Sequence, residues 1–273
     1  MAARMKKDNN KKYNNKKDKL NNSDIYVNQT ELESAVRKTL DKQVSKKGIG
    51  TLGEKTLHSV LKLYFEPDED KHEVALDGYF ADIYNQTGVI EIQTRQLNKL
   101  RDKLAVFLNH YPVTVVYPCP YNKWIYWVDP ETLEATGKKR LSSRHYNEYD
   151  AFFELYKIKS FLKNPNLHIR LLLMDVEDYK LLNGWNETRK KGSWRYDRIP
   201  VGVRRIIELD QPEDYMMFLP LELKEKFTVK DYSKTCGISE DTARMVLNIL
   251  YYLGVVSRTG KEGNAYLYEA VAQ

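Results

Sequence analysis

Gly78-Tyr-Phe-Ala-Asp-Ile-Tyr-Asn-Gln-Thr-Gly-Val-Ile-Glu-Ile-Gln-Thr94 is the stretch whose reading decides the fold. It divides into two short strands, Gly78–Tyr84 and Gly88–Thr94. Strand side chains alternate between faces, so Val89, Glu91 and Gln93 share one face while Ile90, Ile92 and Thr94 share the other. A carboxylate flanked by isoleucines on a short buried strand is costly unless something pairs with it. A divalent cation is such a partner, because Mg²⁺ takes oxygens from one or two carboxylates and keeps several waters.

Reading outward, Thr51–Tyr64 has the pattern of a helix with Leu57, Leu61 and Tyr64 on one arc and Glu54 at its edge, able to face the sheet. Thr51 and Glu54 also fit a capping box, which is the plainer role for Glu54. On the other side, Arg95–Leu108 reads as a helix. Val113–Tyr117 reads as a strand ended by Pro118-Cys-Pro120.

The order of these residues resembles the PD-(D/E)xK nuclease superfamily, the restriction-endonuclease-like fold. There an acidic residue on a first helix precedes an Asp on one strand, an acidic-x-Lys pair on the next, and a following helix. The matching positions are Glu54, Asp82, Glu91 and Gln93, and the resemblance covers roughly residues 48–118. Ala81 stands where the motif has proline, and Gln93 stands where it has lysine. Gln is uncharged, so it supplies neither a cation nor a general base. The resemblance implies an α/β fold with a mixed sheet flanked by helices. It also implies Mg²⁺ (or Mn²⁺) held by Asp82, Glu91 and the Ile92 carbonyl, with Glu54 assisting through water. Gln93 would orient the attacking water, and Arg95, Lys99 or Lys55 would replace the missing cation.

Composition bounds the alternatives. The 273 residues, 42% hydrophobic, suffice for one large domain or two. No run of 18 apolar residues marks a membrane span, and the basic N-terminus lacks the apolar core of a secretory signal. Cys119 and Cys236 stand far apart, which argues against a disulfide framework or zinc–thiolate site and reads as cytoplasmic. The five histidines lack metal-ligand spacing, although His58 follows Glu54 by one helical turn. Residues 4–19 hold eight basic and two acidic residues, which accounts for the whole net charge of +6. This Asn/Lys-rich segment, within a tail over 1–28, reads as disordered and suited either to non-specific phosphate contacts or to solubility.

A helix over 29–47 follows, with Thr30 and Glu33 as a capping box and Leu32, Val36, Leu40 and Val44 as an apolar stripe. The nuclease-like domain then spans 48–215. Within it, Trp124–Val128 and 167–174 read as strands and 147–163 as a helix. Residues 184–205 interleave cations with Trp185, Trp194 and Tyr196, which suits phosphate contacts and base stacking. Arg189, Lys190, Lys191, Trp194, Arg195 and Arg198 are its candidate contacts; Lys138-Lys-Arg140 and Arg144 extend them.

Residues 216–273 resemble a winged helix-turn-helix. Leu219–Phe227 reads as a first helix, Thr228 caps a second, Ser239 caps a third, and strand, wing and strand follow. The resemblance implies DNA contacts from Arg244 and Asn248 on the third helix and from Arg258 and Lys261 on the wing. Glu240 and Asp241 would repel phosphates there. The sequence thus points to a Mg²⁺-dependent nuclease acting on DNA, with RNA and a homodimer left open. The alternative is an inactive nuclease-fold regulator that binds DNA through the winged helix; a protein-interaction module is a third reading.

Overall fold

A computed structural model describes residues 26–45, 55–132, 134–181 and 194–271. Glu54, Arg189, Lys190 and Lys191 lie outside the described residues, as do the basic tail, the Lys55 side chain and the Trp194 side chain. Among the described residues, no helix is long and apolar enough to cross a membrane.

Helices α1 (Gln29–Ser45) and α2 (Lys55–Phe65) precede three short strands, β1 (His72–Leu76), β2 (Tyr79–Asn85) and β3 (Gly88–Ile92). Helix α3 (Arg101–Phe107) leads to β4 (Val113–Val128) and its partner β5 (Ala135–Leu141). A helical stretch at 148–161 contains α4 (Phe152–Leu155) and leads to β6 (Leu167–Leu181) and β7 (Trp194–Leu209). These strands form one sheet ordered β1-β2-β3-β4-β6-β7, with β5 added to β4. β3, β4 and β6 are parallel neighbours and the remaining pairs are antiparallel. The fold is therefore mixed α/β, a large mixed sheet flanked by helices.

Alternation along the strands builds a core on each face. Val89, Val113, Val115, Ile169 and Leu171 pack with Leu104 and Phe107 of α3 and Phe152 and Leu155 of α4. Ile90, Ile92, Val116, Leu172 and Met174 pack on the other face with Leu32 and Ala35 of α1 and Leu57, Val60 and Leu61 of α2. Burying such side chains contributes roughly 1.5–3 kcal/mol each.

The expected strand end at Pro118-Cys-Pro120 is not an end, for β4 runs through both prolines to Val128. Gln93 donates its backbone N–H to Val116 O, so even-numbered residues of β4 aim their backbone groups toward β3. Pro118 and Pro120 share that parity. The β3 ladder stops at Val116 and the β5 ladder begins at Trp124, so the missing N–H groups fall on an open stretch of edge, where proline is tolerated. The strand expected over 167–174 likewise extends to Leu181.

Three expected helices are altered. Arg95–Leu108 does not start at Arg95: Gln96 adopts a left-handed conformation (φ +53°), a 3₁₀ turn spans Leu97–Leu100, and α3 follows. The 147–163 helix is a chain of 3₁₀, α and 3₁₀ turns, with Ile158 off helical geometry. Leu219–Phe227 is not helical. Leu219, preceding Pro220, is extended (φ −100°, ψ 104°), as the clash with a following proline ring favours. The Thr30–Glu33 box is replaced too, since Glu33 accepts from the Gln29 side-chain amide.

The C-terminal unit comprises β8 (Lys226–Phe227), α5 (Val229–Cys236), α6 (Glu240–Leu253), β9 (Val256–Glu262) and β10 (Ala265–Ala270), with a three-stranded sheet ordered β8-β10-β9. Thr228 and Ser239 cap the two helices by accepting from Asp231 and Thr242 N–H. Its apolar core is continuous with that of the large sheet: Val246, Ile249 and Leu250 belong to one cluster with Phe152, Leu155 and Ile158.

Candidate active site

β2 and β3 pair antiparallel as far as Ile83 opposite Ile90, and Asp82 and Glu91 are the next residues of the two strands beyond that last pair. Glu91 is buried, with its side chain 2% exposed; Asp82 is 13% exposed. Glu91 Oε1 accepts weakly from the Asp82 N–H at 3.4 Å. Asp82 Oδ2 accepts from the Ile92 N–H at 2.8 Å and lies 3.1 Å from His58 Nε2. The N–H and C=O of one strand residue point the same way, so the Ile92 carbonyl also faces the Asp82 side.

Lys103 was not singled out by the sequence. Its Nζ donates to both Glu91 oxygens, at 3.0 and 2.9 Å, from α3. The turn at 93–96 explains the oversight. Gln93 donates its side-chain amide to the carbonyls of Arg95 and Gln96, and this turn delays the helix. Lys99 then falls in the 3₁₀ turn, and the lysine one helical turn later faces Glu91. The spacing Lys99–Lys103 was the available clue, since residues four apart share a helix face.

These groups line a cleft of about 700 Å³ at the end of β3, between helices on opposite faces of the sheet. His58 and Lys62 enter from α2; Lys99 and Lys103 enter from the other side. Arg95 is exposed at the turn. Gln93 also lines the cleft, with its amide turned onto the backbone.

Two adjacent buried carboxylates set the electrostatics. Burial first, then the negative charge of Asp82, pushes Glu91 up to about 7, against the pull of Lys103. Burial also pushes Asp82 upward, but the bond and charge of His58, the Ile92 N–H and Lys103 outweigh it and hold Asp82 below the ordinary range. The site is thus short of positive charge. Among the described residues, no group of three or more His, Cys, Asp and Glu side chains is arranged to hold a metal. Two carboxylates and one carbonyl do suit a hard divalent cation that keeps most of its waters.

The other candidate contacts fall elsewhere. Arg198 is 8% exposed and forks onto Asp178 at 2.5 and 2.9 Å, with Arg195 at 3.8 Å. Lys139 of the exposed strand β5 lies over Trp124 and 3.4 Å from Glu177. Arg244 pairs with Asp241 and Glu240 of its own helix at 2.6 and 2.8 Å. Asn248 accepts from Lys159 at 3.0 Å, a contact to the large domain. Arg258 lies over the rings of Tyr251 and Tyr266, at 4.4 and 4.2 Å, and Lys261 over Tyr266 at 5.1 Å.

The elements from α2 to β7, which carry the whole cleft, match a family model over residues 55–210, more than half of the chain. The chain belongs to the family described as Domain of unknown function (DUF8091). A relative in Treponema pallidum (strain Nichols), described as "Uncharacterized protein", is 27% identical over 228 residues, covering 81% of this chain and 86% of its own. No solved structure matches the DUF8091 chain.

Proposed function

We propose that this DUF8091 chain is a Mg²⁺- or Mn²⁺-dependent nuclease with a PD-(D/E)xK-type core, hydrolysing phosphodiester bonds of DNA. The observation that carries this reading is the convergence of Asp82, Glu91 and Lys103 on one cleft at the end of β3. The order α2, β1–β3, α3, β4 supports it, as do the burial of Glu91 and the adjacent charge of Asp82, which together keep Glu91 raised.

Asp82, Glu91 and the Ile92 carbonyl would hold the cation, which when bound lowers the pKa of a water and offsets charge on the scissile phosphate. Lys103 does the work assigned to the motif lysine. It donates to both Glu91 oxygens and would place a positive charge beside a phosphate drawn to the carboxylates. His58 orients Asp82, and Gln93 shapes the turn that aims α3. The C-terminal unit has the element order of a winged helix, and its α6 braces the large domain. The exposed stripe Glu240, Asp241, Arg244 and Tyr251 is not cationic, and Asn248 is engaged by Lys159, so nothing favours a regulator reading DNA through α6.

The test is cleavage of single-stranded, duplex and branched DNA with Mg²⁺ or Mn²⁺, run beside gel-shift binding. The parent is expected to cut, and Asp82→Asn and Glu91→Gln to bind without cutting. Binding without cutting by the parent would shift the reading to the inactive regulator; neither binding nor cutting would remove both.

A further inference from the structure

The segment 97–107 has two polar faces. Lys99 and Lys103, four residues apart, line the carboxylate cleft. Asn98 and Arg101, three apart, line a second cleft of about 680 Å³, closed on its far side by Tyr156, Lys157, Lys159 and Ser160. Among the described residues, no acidic side chain lines it.

The three cations differ in how far they are neutralised. Lys157 donates to Glu154 at 2.5 Å, and the second Glu154 oxygen accepts from the Leu97 N–H at 2.8 Å. That pair secures the wall between the clefts. Among the described residues, Lys159 meets no carboxylate. It donates to Asn248 at 3.0 Å and lies over the rings of Tyr156 and Tyr252, at 5.0 and 5.2 Å. Tyr252 in turn donates its hydroxyl to Ser160 O at 3.3 Å. A neutral acceptor and two rings hold the ammonium in place without cancelling its charge. Arg101 is exposed and pairs with no carboxylate among the described residues. Its guanidinium fork suits a phosphate.

We propose that the second cleft binds a backbone phosphate of the same nucleic-acid strand that enters the carboxylate cleft, through Arg101 and Lys159; this rests on the nuclease reading. The wall between the clefts is one helix, about 10–12 Å across. Asn248 is then a positioning residue for Lys159, which gives α6 a place in substrate binding without entry into a groove.

The experiment measures binding of a labelled oligonucleotide to the full chain carrying Asp82→Asn, over a salt series, alone and with Arg101→Ala, Lys159→Gln or Arg101→Lys. The first two are expected to weaken binding about tenfold each and lower the salt slope by about one, while Arg101→Lys retains most of the slope. Unchanged affinity and slope in both would overturn the proposal and, if the parent still cuts DNA, leave the nuclease reading standing. Equal competition by inorganic phosphate would assign the cleft to a free anion and also overturn it. No oligonucleotide binding by the Asp82→Asn chain would do the same, while Mn²⁺ titration of the parent against Asp82→Asn would decide the carboxylate site independently.

Discussion

Asp175 and Asp178, in β6, each face an arginine fork, whereas Asp82 and Glu91 face each other. Arg204 meets both oxygens of Asp175 at 2.7 Å, with the Tyr26 hydroxyl donating to the same carboxylate at 2.8 Å. Arg198 does the same for Asp178, which is held below the ordinary range: burial pushes it up, but the fork outweighs burial. In the cleft, burial pushes Glu91 up and the charge of Asp82 adds to it, and Lys103 does not offset the two, so Glu91 stays raised. Burial alone therefore does not mark a functional acid. What separates the two regions is whether the partners at hand balance the negative charge.

The sharpest way to break this comparison is to remove one acid from each region. Asp178→Ala is expected to cost about 3–5 kcal/mol of stability, because it leaves Arg198 buried and uncompensated. Cleavage per folded molecule should persist. Urea unfolding beside single-turnover cleavage checks this, and loss of cleavage without loss of stability would erase the distinction.

Asp82→Asn should do the reverse. Turnover should fall on the order of 10²–10³-fold, the scale of losing a preorganised electrostatic partner. Stability should change little, because a like-charge repulsion goes along with the hydrogen bonds. A variant that unfolds yet cuts normally when folded would place Asp82 with the structural acids.

Lys103 and Gln93 divide a task that the motif gives to one lysine. Lys103→Met is expected to lower turnover about 10²-fold, and Gln93→Lys to leave it within a few-fold. Single-turnover rates at saturating Mg²⁺ compare them. If Lys103→Met is silent while Arg95→Ala or Lys99→Ala is slow, the cation comes from the turn instead.

The smallest expected effect is a pH dependence. Glu91 moves from an ordinary value of 4.5 to about 7 on folding, so between those values the folded chain binds more protons than the unfolded one. Its contribution to stability is therefore full below 4.5 and is lost as pH rises through 7, by about 1–3 kcal/mol. Asp82, held low, acts only below its unfolded value of 3.8, outside this window. Parent stability should fall relative to Glu91→Gln between pH 5 and 8, and Mn²⁺ affinity should rise over the same range, because the ligand must lose its proton. A flat difference between the two chains would remove the charge shortage on which the comparison rests.

Alternation and capping were legible locally. Val89 packs on one face, where Glu91 also meets Lys103 of α3, and Ile90 and Ile92 pack on the other, and Thr228 and Ser239 cap the helices they precede. These patterns are set by neighbours within a few residues, where period and hydrogen-bonding chemistry act directly. The prolines of β4 misled because tolerance for them depends on whether a neighbouring strand reaches that stretch of edge. Arg198 and Asn248 misled because their partners, Asp178 and Lys159, lie 20 and 89 residues away.

By itself the sequence determined the two strands, their alternation and the order of Asp82 and Glu91 along them. Only the tertiary structure decided which cation meets Glu91. Gln93 turns the chain at Gln96, and that turn fixes the phase of α3, on which one residue is about 100° of rotation. It also decided that Arg198 and Arg204 of β7 are spent on buried aspartates, since a charge is committed by what packs against it and not by its place in a run of cations.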